Sequence, residues 1–230
     1  MREERITSRQ NPLLRHAKKL LTSRSYRESC GEFAADGTKL LEEAARWVPG
    51  LHTVIAADDV EICRLPEEVR VVRVPRDVMA SVSQMDAPQG AIFLCRTPQP
   101  PQAEILPGTL LLDGIQDPGN LGTILRTADA LAVPVVLLPG CADVWNPKVV
   151  RASMGAAFSL NVRHFDSFEQ YRAQYPLRRL FPFMLTGAVP LDEAVQKVDG
   201  PFSLVFGNEA SGLPDAFAQM GVSTLIPHSH

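Results

Sequence analysis

Asn120 and Arg126 stand in a stretch that is otherwise largely apolar, LLLDGIQDPGNLGTILRTADALAV, residues 110–133. An amide at the end of a buried run can fix a turn. A guanidinium less than two helical turns further on is a permanent cation rich in donors, and together they suit a ligand site. A second polar turn, GNEASG, runs from Gly207 to Gly212. Its glycines let a ligand approach the backbone, and Asn208 and Glu209 add an amide and a carboxylate at the same rim. Each feature also has a purely structural reading: Asn120 as a helix N-cap, Arg126 as a surface charge, and GNEASG as a turn before a helix opened by Leu213-Pro214. Neither strand end follows G-x-G-x-x-G, which makes a dinucleotide site a poor reading, and without G-x-x-x-x-G-K-[ST] the chain is not a P-loop nucleotidase.

The elements around these residues can be read from their periodicity. Apolar runs at 109–114, 134–139, 158–162, 179–186, 202–207 and 222–227 predict strands buried on both faces of a mainly parallel sheet. Helices are expected between them at 120–132, 147–155, 167–174 and 214–220. In such sheets ligands bind at the carboxyl ends of the strands, which singles out DGIQDPGN, FGNEASG and LIPHSH. Upstream, helical spacing at 11–21, 37–47 and 76–84 alternates with strand patterns at 32–36, 52–58, 69–75 and 91–96, a small α/β domain. Between the two lies TPQPPQAEILPG (97–108), whose prolines forbid a regular element.

Bulk properties narrow the class. With 230 residues, 45% hydrophobic, there is enough apolar material for a real core. The net charge of −3 argues against a uniformly basic nucleic-acid binder. The first 30 residues, however, carry eight basic against three acidic side chains, which reads on its own as a solvated N-terminal helix and otherwise as a local phosphate-binding surface. Cys30, Cys63, Cys95 and Cys141 are widely spaced, as free thiols in a reducing compartment are. The N-terminus reads as charged rather than as a secretory signal, and no apolar run reaches the roughly 20 residues of a membrane span. A cytoplasmic protein is expected. His228 and His230 lack further ligands nearby, so no metal site is expected.

The pairing of DPGNLGTILRTADALAV with LVFGNEASGLP resembles the SpoU/TrmH branch of the SPOUT RNA methyltransferases. KVVRASMGAAFSLNV (148–162) is similar to the segment between those motifs. ITSRQNPLLRHAKKL and FAADGTKLLEEA resemble the family's N-terminal substrate-binding domain, which has an L30e-like fold. The resemblance implies an L30e-like RNA-binding domain over residues 1–97, a Pro-rich linker over 98–108, and a SPOUT α/β domain with a parallel sheet and a C-terminal trefoil knot over 109–230. It implies S-adenosylmethionine as cofactor, a homodimer formed through the SPOUT domain, and methylation of a ribose 2′-hydroxyl in rRNA or tRNA. The alternatives are an RNA-binding relative without catalysis and a base-methylating relative. The family's third motif begins with Ile-Pro, here Ile226-Pro227, and continues through Ser-Leu-Asn into a final helix. The sequence as given reaches His230 before that continuation, so a completed knot is not expected from these residues.

Carried over residue by residue, the resemblance assigns catalysis to Arg126, Asn120 and Glu209. Methyl transfer to a hydroxyl is an in-line displacement that needs positioning and stabilisation of developing negative charge. Arg126 would supply that charge, Asn120 would hold Arg126 and the turn, and Glu209 would orient Arg126 or the acceptor nucleotide. The cofactor set is Thr186, Gly187, Gly207, Asn208, Gly212, Ile226 and Pro227. The RNA-facing set is Arg9, Arg15, Lys18, Lys39, Lys148, Arg151 and Ser153.

Overall fold

The computed structural model describes residues 4–99 and 107–227, so part of the Pro-rich segment and both C-terminal histidines lie outside the described residues. The chain forms two compact units: Met1–Gln99 with Asp143–Ser159, and Pro100–Ala142 with Leu160–His230.

In the first unit the chain runs β1 (Glu4–Arg5), α1 (Pro12–Thr22), α2 (Arg24–Cys30), β2 (Glu32–Asp36), α3 (Thr38–Trp47), β3 (Leu51–Ala57), β4 (Arg70–Val74), α4 (Arg76–Val82) and β5 (Ala91–Arg96). The strands form one mixed sheet in the order β1-β4-β3-β5-β2, with β5 antiparallel to both its neighbours. One face is buried by α1 and α4 through Leu14, Leu20, Val78 and Met79 against Ile55, Val72, Ile92 and Leu94. Helix α1 starts where Pro12 presets the first turn and the Asn11 side chain accepts from the Leu13 amide. The opposite face holds Leu41 and Ala44 of α3 over Phe33, Val54 and Phe93.

Asp143–Ser159 completes that second face, although the sequence reading places it with the downstream domain. Its Trp145 ring stacks on Phe33 with centroids 4.4 Å apart, and Phe158 meets Phe93 edge-on. Only Pro147–Ala152 of this segment is α-helical, and the expected strand at 158–162 is displaced: Ala156–Phe158 is a 3-10 turn and the strand begins at Val162. Burial of Phe158 in the aromatic cluster, after Gly155 in the left-handed region (φ 89°), turns the chain out of an extended path. Helix α2 has no counterpart in the sequence reading. Its one buried side chain is Arg27, whose guanidinium donates to the Leu20 carbonyl (2.7 Å) and to Asp143 Oδ2 (2.9 and 2.6 Å).

The second unit contains β6 (Gly108–Leu112), α5 (Pro118–Ala130), β7 (Val135–Leu137), β8 (Val162–His164), α7 (Phe168–Gln174), β9 (Arg179–Pro182), β10 (Val189–Pro190), α8 (Leu191–Val195), β11 (Phe202–Phe206) and β12 (Thr224–Leu225), with α6 (Pro147–Ala152) belonging to the first unit. Five strands form an all-parallel sheet, β8-β7-β6-β11-β9. From β6 the chain steps outward through β7 to β8, then crosses to the other side of β6 for β9 and β11. The crevice between β6 and β11 is therefore the point where strand order reverses, the usual ligand position in such sheets. The 222–227 run does not join this sheet; Thr224–Leu225 pairs in parallel with Val189–Pro190. The segment expected as a helix at 214–220 is a 3-10 turn, Asp215–Gln219. No helix among the described residues is long and apolar enough to cross a membrane.

Candidate active site

Strand register brings the two polar turns together. Leu112 of β6 lies beside Phe206 of β11, and Asp113 N donates to the Phe206 carbonyl at 2.9 Å. The next residues of each strand therefore leave the sheet side by side. Asp113 is half-buried, and burial pushes its carboxyl above the ordinary value.

The turns are then tied side chain to backbone. Asn208 Nδ2 donates to the Gly114 carbonyl at 2.8 Å, while its Oδ1 accepts from the amides of Ala210 (2.9 Å) and Ser211 (3.0 Å). Glu209 accepts from the backbone amides of Gln116 and Asp117, both at 3.3 Å, and from the Asn120 side-chain Nδ2 at 3.1 Å. Burial pulls the Glu209 carboxyl upward, but these hydrogen bonds outweigh it and hold the group below the usual carboxylate range. Gly207 is sterically required: a Cβ there would fall 2.5 Å from Gly212 C and Leu213 N.

The roles expected of Asn120 change. Asp117 is the N-cap of α5, its Oδ1 accepting from the Asn120 amide at 2.8 Å, because Pro118 sets the first helical position. Asn120 is thereby inside the first turn, with its amide free to reach Glu209. It does not hold Arg126. Six residues are about 1.7 turns of helix, which places the two side chains on different faces. Arg126 is exposed and makes no hydrogen bond or ion pair among the described residues.

A cavity of about 560 Å³ opens beside the tied turns. Thr186, Asn208, Gly212 and Ile226 of the expected cofactor set line it, as does Glu209; Gly187, Gly207 and Pro227 adjoin its wall in sequence but do not form it. Phe183, Met184, Leu185 and Leu225 also line it. They escape the sequence reading because 179–186 looks like one strand, whereas regular pairing ends at Pro182 and the chain then turns along the cavity. Leu185 and Ile226 are 85% and 56% exposed, large apolar side chains facing an open cleft. That suits a ligand with a flat apolar part, and the tight glycine backbone suits its close approach. The residues thus fit S-adenosylmethionine.

The expected RNA-facing residues all lie in the first unit, and the structure does not gather them all. Arg9 pairs with Asp77, Arg15 donates to Gln10, and Lys18 donates to the Ser81 carbonyl at 2.9 Å. Lys148 is exposed on α6. Ser153 is fully buried and its hydroxyl donates to the Val150 carbonyl at 2.9 Å, closing the helix end, so it offers no surface to RNA. Lys39 and Arg151 do come together, around a separate cavity of that unit. Among the described residues no group of three or more His, Cys, Asp or Glu could hold a metal ion.

Residues 107–227 match the model of the SpoU rRNA Methylase family, and residues 11–92 match an MRM3-like substrate binding domain. The chain is 29% identical over 221 residues to the 23S rRNA (guanosine(2553)-2′-O)-methyltransferase of Bacillus subtilis, covering 94% of this chain and 87% of the relative. It is 32% identical to an uncharacterized tRNA/rRNA methyltransferase of Synechocystis sp., covering 90% of this chain and 79% of that one. The fold superposes with a TM-score of 0.80 on the crystal structure of an AdoMet-bound rRNA methyltransferase from Sinorhizobium meliloti, at 25% identity over 99% of this chain and 90% of the other. The chain belongs to the SpoU rRNA methylase family.

Proposed function

We propose that this protein transfers a methyl group from S-adenosylmethionine to a ribose 2′-hydroxyl of ribosomal RNA. The observation that carries the reading is the cavity between the segments 183–186 and 224–226 and the GNEASG turn, which Asn208 and Glu209 lock to the DGIQDPGN turn. Residues 109–230 would carry the chemistry and residues 1–97 would hold the RNA.

When bound, the cofactor supplies an electrophilic methyl group on a sulfonium. The chain's own part is positioning and charge. Glu209 fixes the turn from which α5 begins, so the backbone beside the cavity is pre-set before substrate arrives. Arg126 is an unpaired, permanently protonated group on that same helix, suited to an RNA phosphate or to the oxygen as it gains negative charge. Arginine hardly deprotonates, so the hydroxyl proton leaves to solvent or to the RNA rather than to Arg126. Incubation of the chain with methyl-labelled S-adenosylmethionine and unmodified ribosomal RNA should yield a 2′-O-methylnucleoside on digestion. A methylated base, or binding of RNA with no transfer, would overturn the reading.

A homodimer is part of this proposal. A trough of about 500 Å³ runs between α5 and the β6–β11 face, walled by Leu110, Ile124, Leu131, Phe202, Leu204 and Phe206, with Leu131 69% exposed. So large an apolar surface suits a second copy. Sedimentation equilibrium should give twice the monomer mass, and a concentration-independent monomer would refute it. The four cysteines form no disulfide, which supports a reducing, cytoplasmic location.

A further inference from the structure

The first unit carries a cavity of its own, about 450 Å³, at the start of α3. Its wall includes Asp36, the last residue of β2, which is 1% exposed. Asp36 Oδ2 accepts from the Ser83 hydroxyl, but Oδ1 has no partner. Arg151 lines the same cavity, and its buried Nη1 has no partner either. Arg151 attracts the Asp36 carboxylate, but neither Oδ1 nor Nη1 has a hydrogen-bond partner, and a buried acceptor and a buried donor without one each cost free energy, so this wall can take an occupant.

The occupant's chemistry follows from the rest of the wall. Asp36, Glu42 and Glu43 outnumber Lys39 and Arg151, so a phosphate is disfavoured there. Met85 and Met154 supply apolar, polarizable faces suited to an aromatic ring. Met154 is 56% exposed and held at φ 54°, a conformation that costs energy for a non-glycine residue. We propose that this cavity receives one unpaired base of the RNA, its ring against Met85 and Met154, an N–H facing Asp36 and an acceptor facing Arg151. Proteins read RNA sequence chiefly through such splayed-out bases. The proposal rests on the RNA-methyltransferase reading and adds to it a base-reading subsite within the first unit.

The test uses the full chain labelled with ¹³C at the methionine methyls. It is titrated with a uridine pentanucleotide and, separately, with an abasic ribose-phosphate pentamer of equal charge. The methyl signals of Met85 and Met154 should shift with the first alone. D36N should weaken the uridine pentamer on the order of tenfold and leave the abasic one unchanged. D36N keeps the side-chain shape but takes a counter-charge from Arg151, so its thermal midpoint is recorded and affinities are compared well below it; R151M, measured the same way, guards against a local effect of the first variant. Equal shifts with both oligomers would overturn the proposal in favour of a phosphate surface. So would unchanged affinity in both variants, or no shift while the wild type still methylates ribosomal RNA, an outcome that leaves the methyltransferase reading intact. Shifts and the D36N loss without methylation would uphold the subsite and sink the activity.

Discussion

Arg126→Ala is expected to lower the single-turnover rate of methyl transfer by about 10²- to 10³-fold, the range seen when a preorganised charge-stabilising group is removed. Cofactor affinity and thermal midpoint stay within error of wild type. The second half of this expectation comes from the side chain's surroundings: it is exposed and holds no partner among the described residues, so the described fold does not depend on it. The first half comes from its helix, whose N-terminal turn is clamped through Asn120 and Glu209. Arg126→Lys keeps the charge but loses the planar fork, and should recover only part of the rate. Measuring both variants against saturating RNA separates a chemical defect from weaker binding. A rate within threefold of wild type for Arg126→Ala would remove Arg126 from the mechanism.

Arg27→Met destabilises the first unit by about 3–5 kcal/mol, the cost of breaking a buried ion pair from one side. Arg27 and Asp143 have side chains 6% and 15% exposed, with a 2.6 Å contact. Removing the guanidinium leaves Asp143 almost without water and also frees the Leu20 carbonyl. Both tryptophans, Trp47 and Trp145, belong to this unit, so fluorescence during urea unfolding reports it selectively. The double variant Arg27→Met, Asp143→Leu should recover much of the loss, because no charge is then stranded. A loss below about 1 kcal/mol in the single variant would place the pair among the weak surface bridges.

What could be read in advance depended on how directly a residue pattern encodes its own neighbourhood. Strands β6 and β11 were legible because their runs are largely apolar, although burial alternates along them: Leu111 and Val205 are enclosed, whereas Leu110, Leu204 and Phe206 line the trough and are only partly buried, so the expected burial on both faces does not hold there. The polar turns after them were legible as turns. Their pairing needs the strand order, which no local pattern contains. Helix α2 was hidden because its buried residue is an arginine satisfied by an aspartate 116 positions away. Asn120 looked like a cap because asparagine before an apolar run usually is one, yet Asp117 with Pro118 takes that position and leaves Asn120 to bind Glu209. Ser153 looked available from its segment and is enclosed. Asp36 had no signal at all: a carboxylate ending a strand becomes notable only when one oxygen is found buried and unanswered.

The stretch from Asp143 to Ser159 also bears on how this protein can be cut into parts. A fragment ending at Gln99 would retain every strand of the first sheet but lose Trp145, Val150 and Phe158 from one side of it. Phe33 and Phe93 would then meet solvent, and Arg27 would lose its carboxylate. Severing the chain at its prolines therefore does not yield a self-sufficient module, and chimaeras that exchange the front portion must carry the later seventeen-residue insert with it.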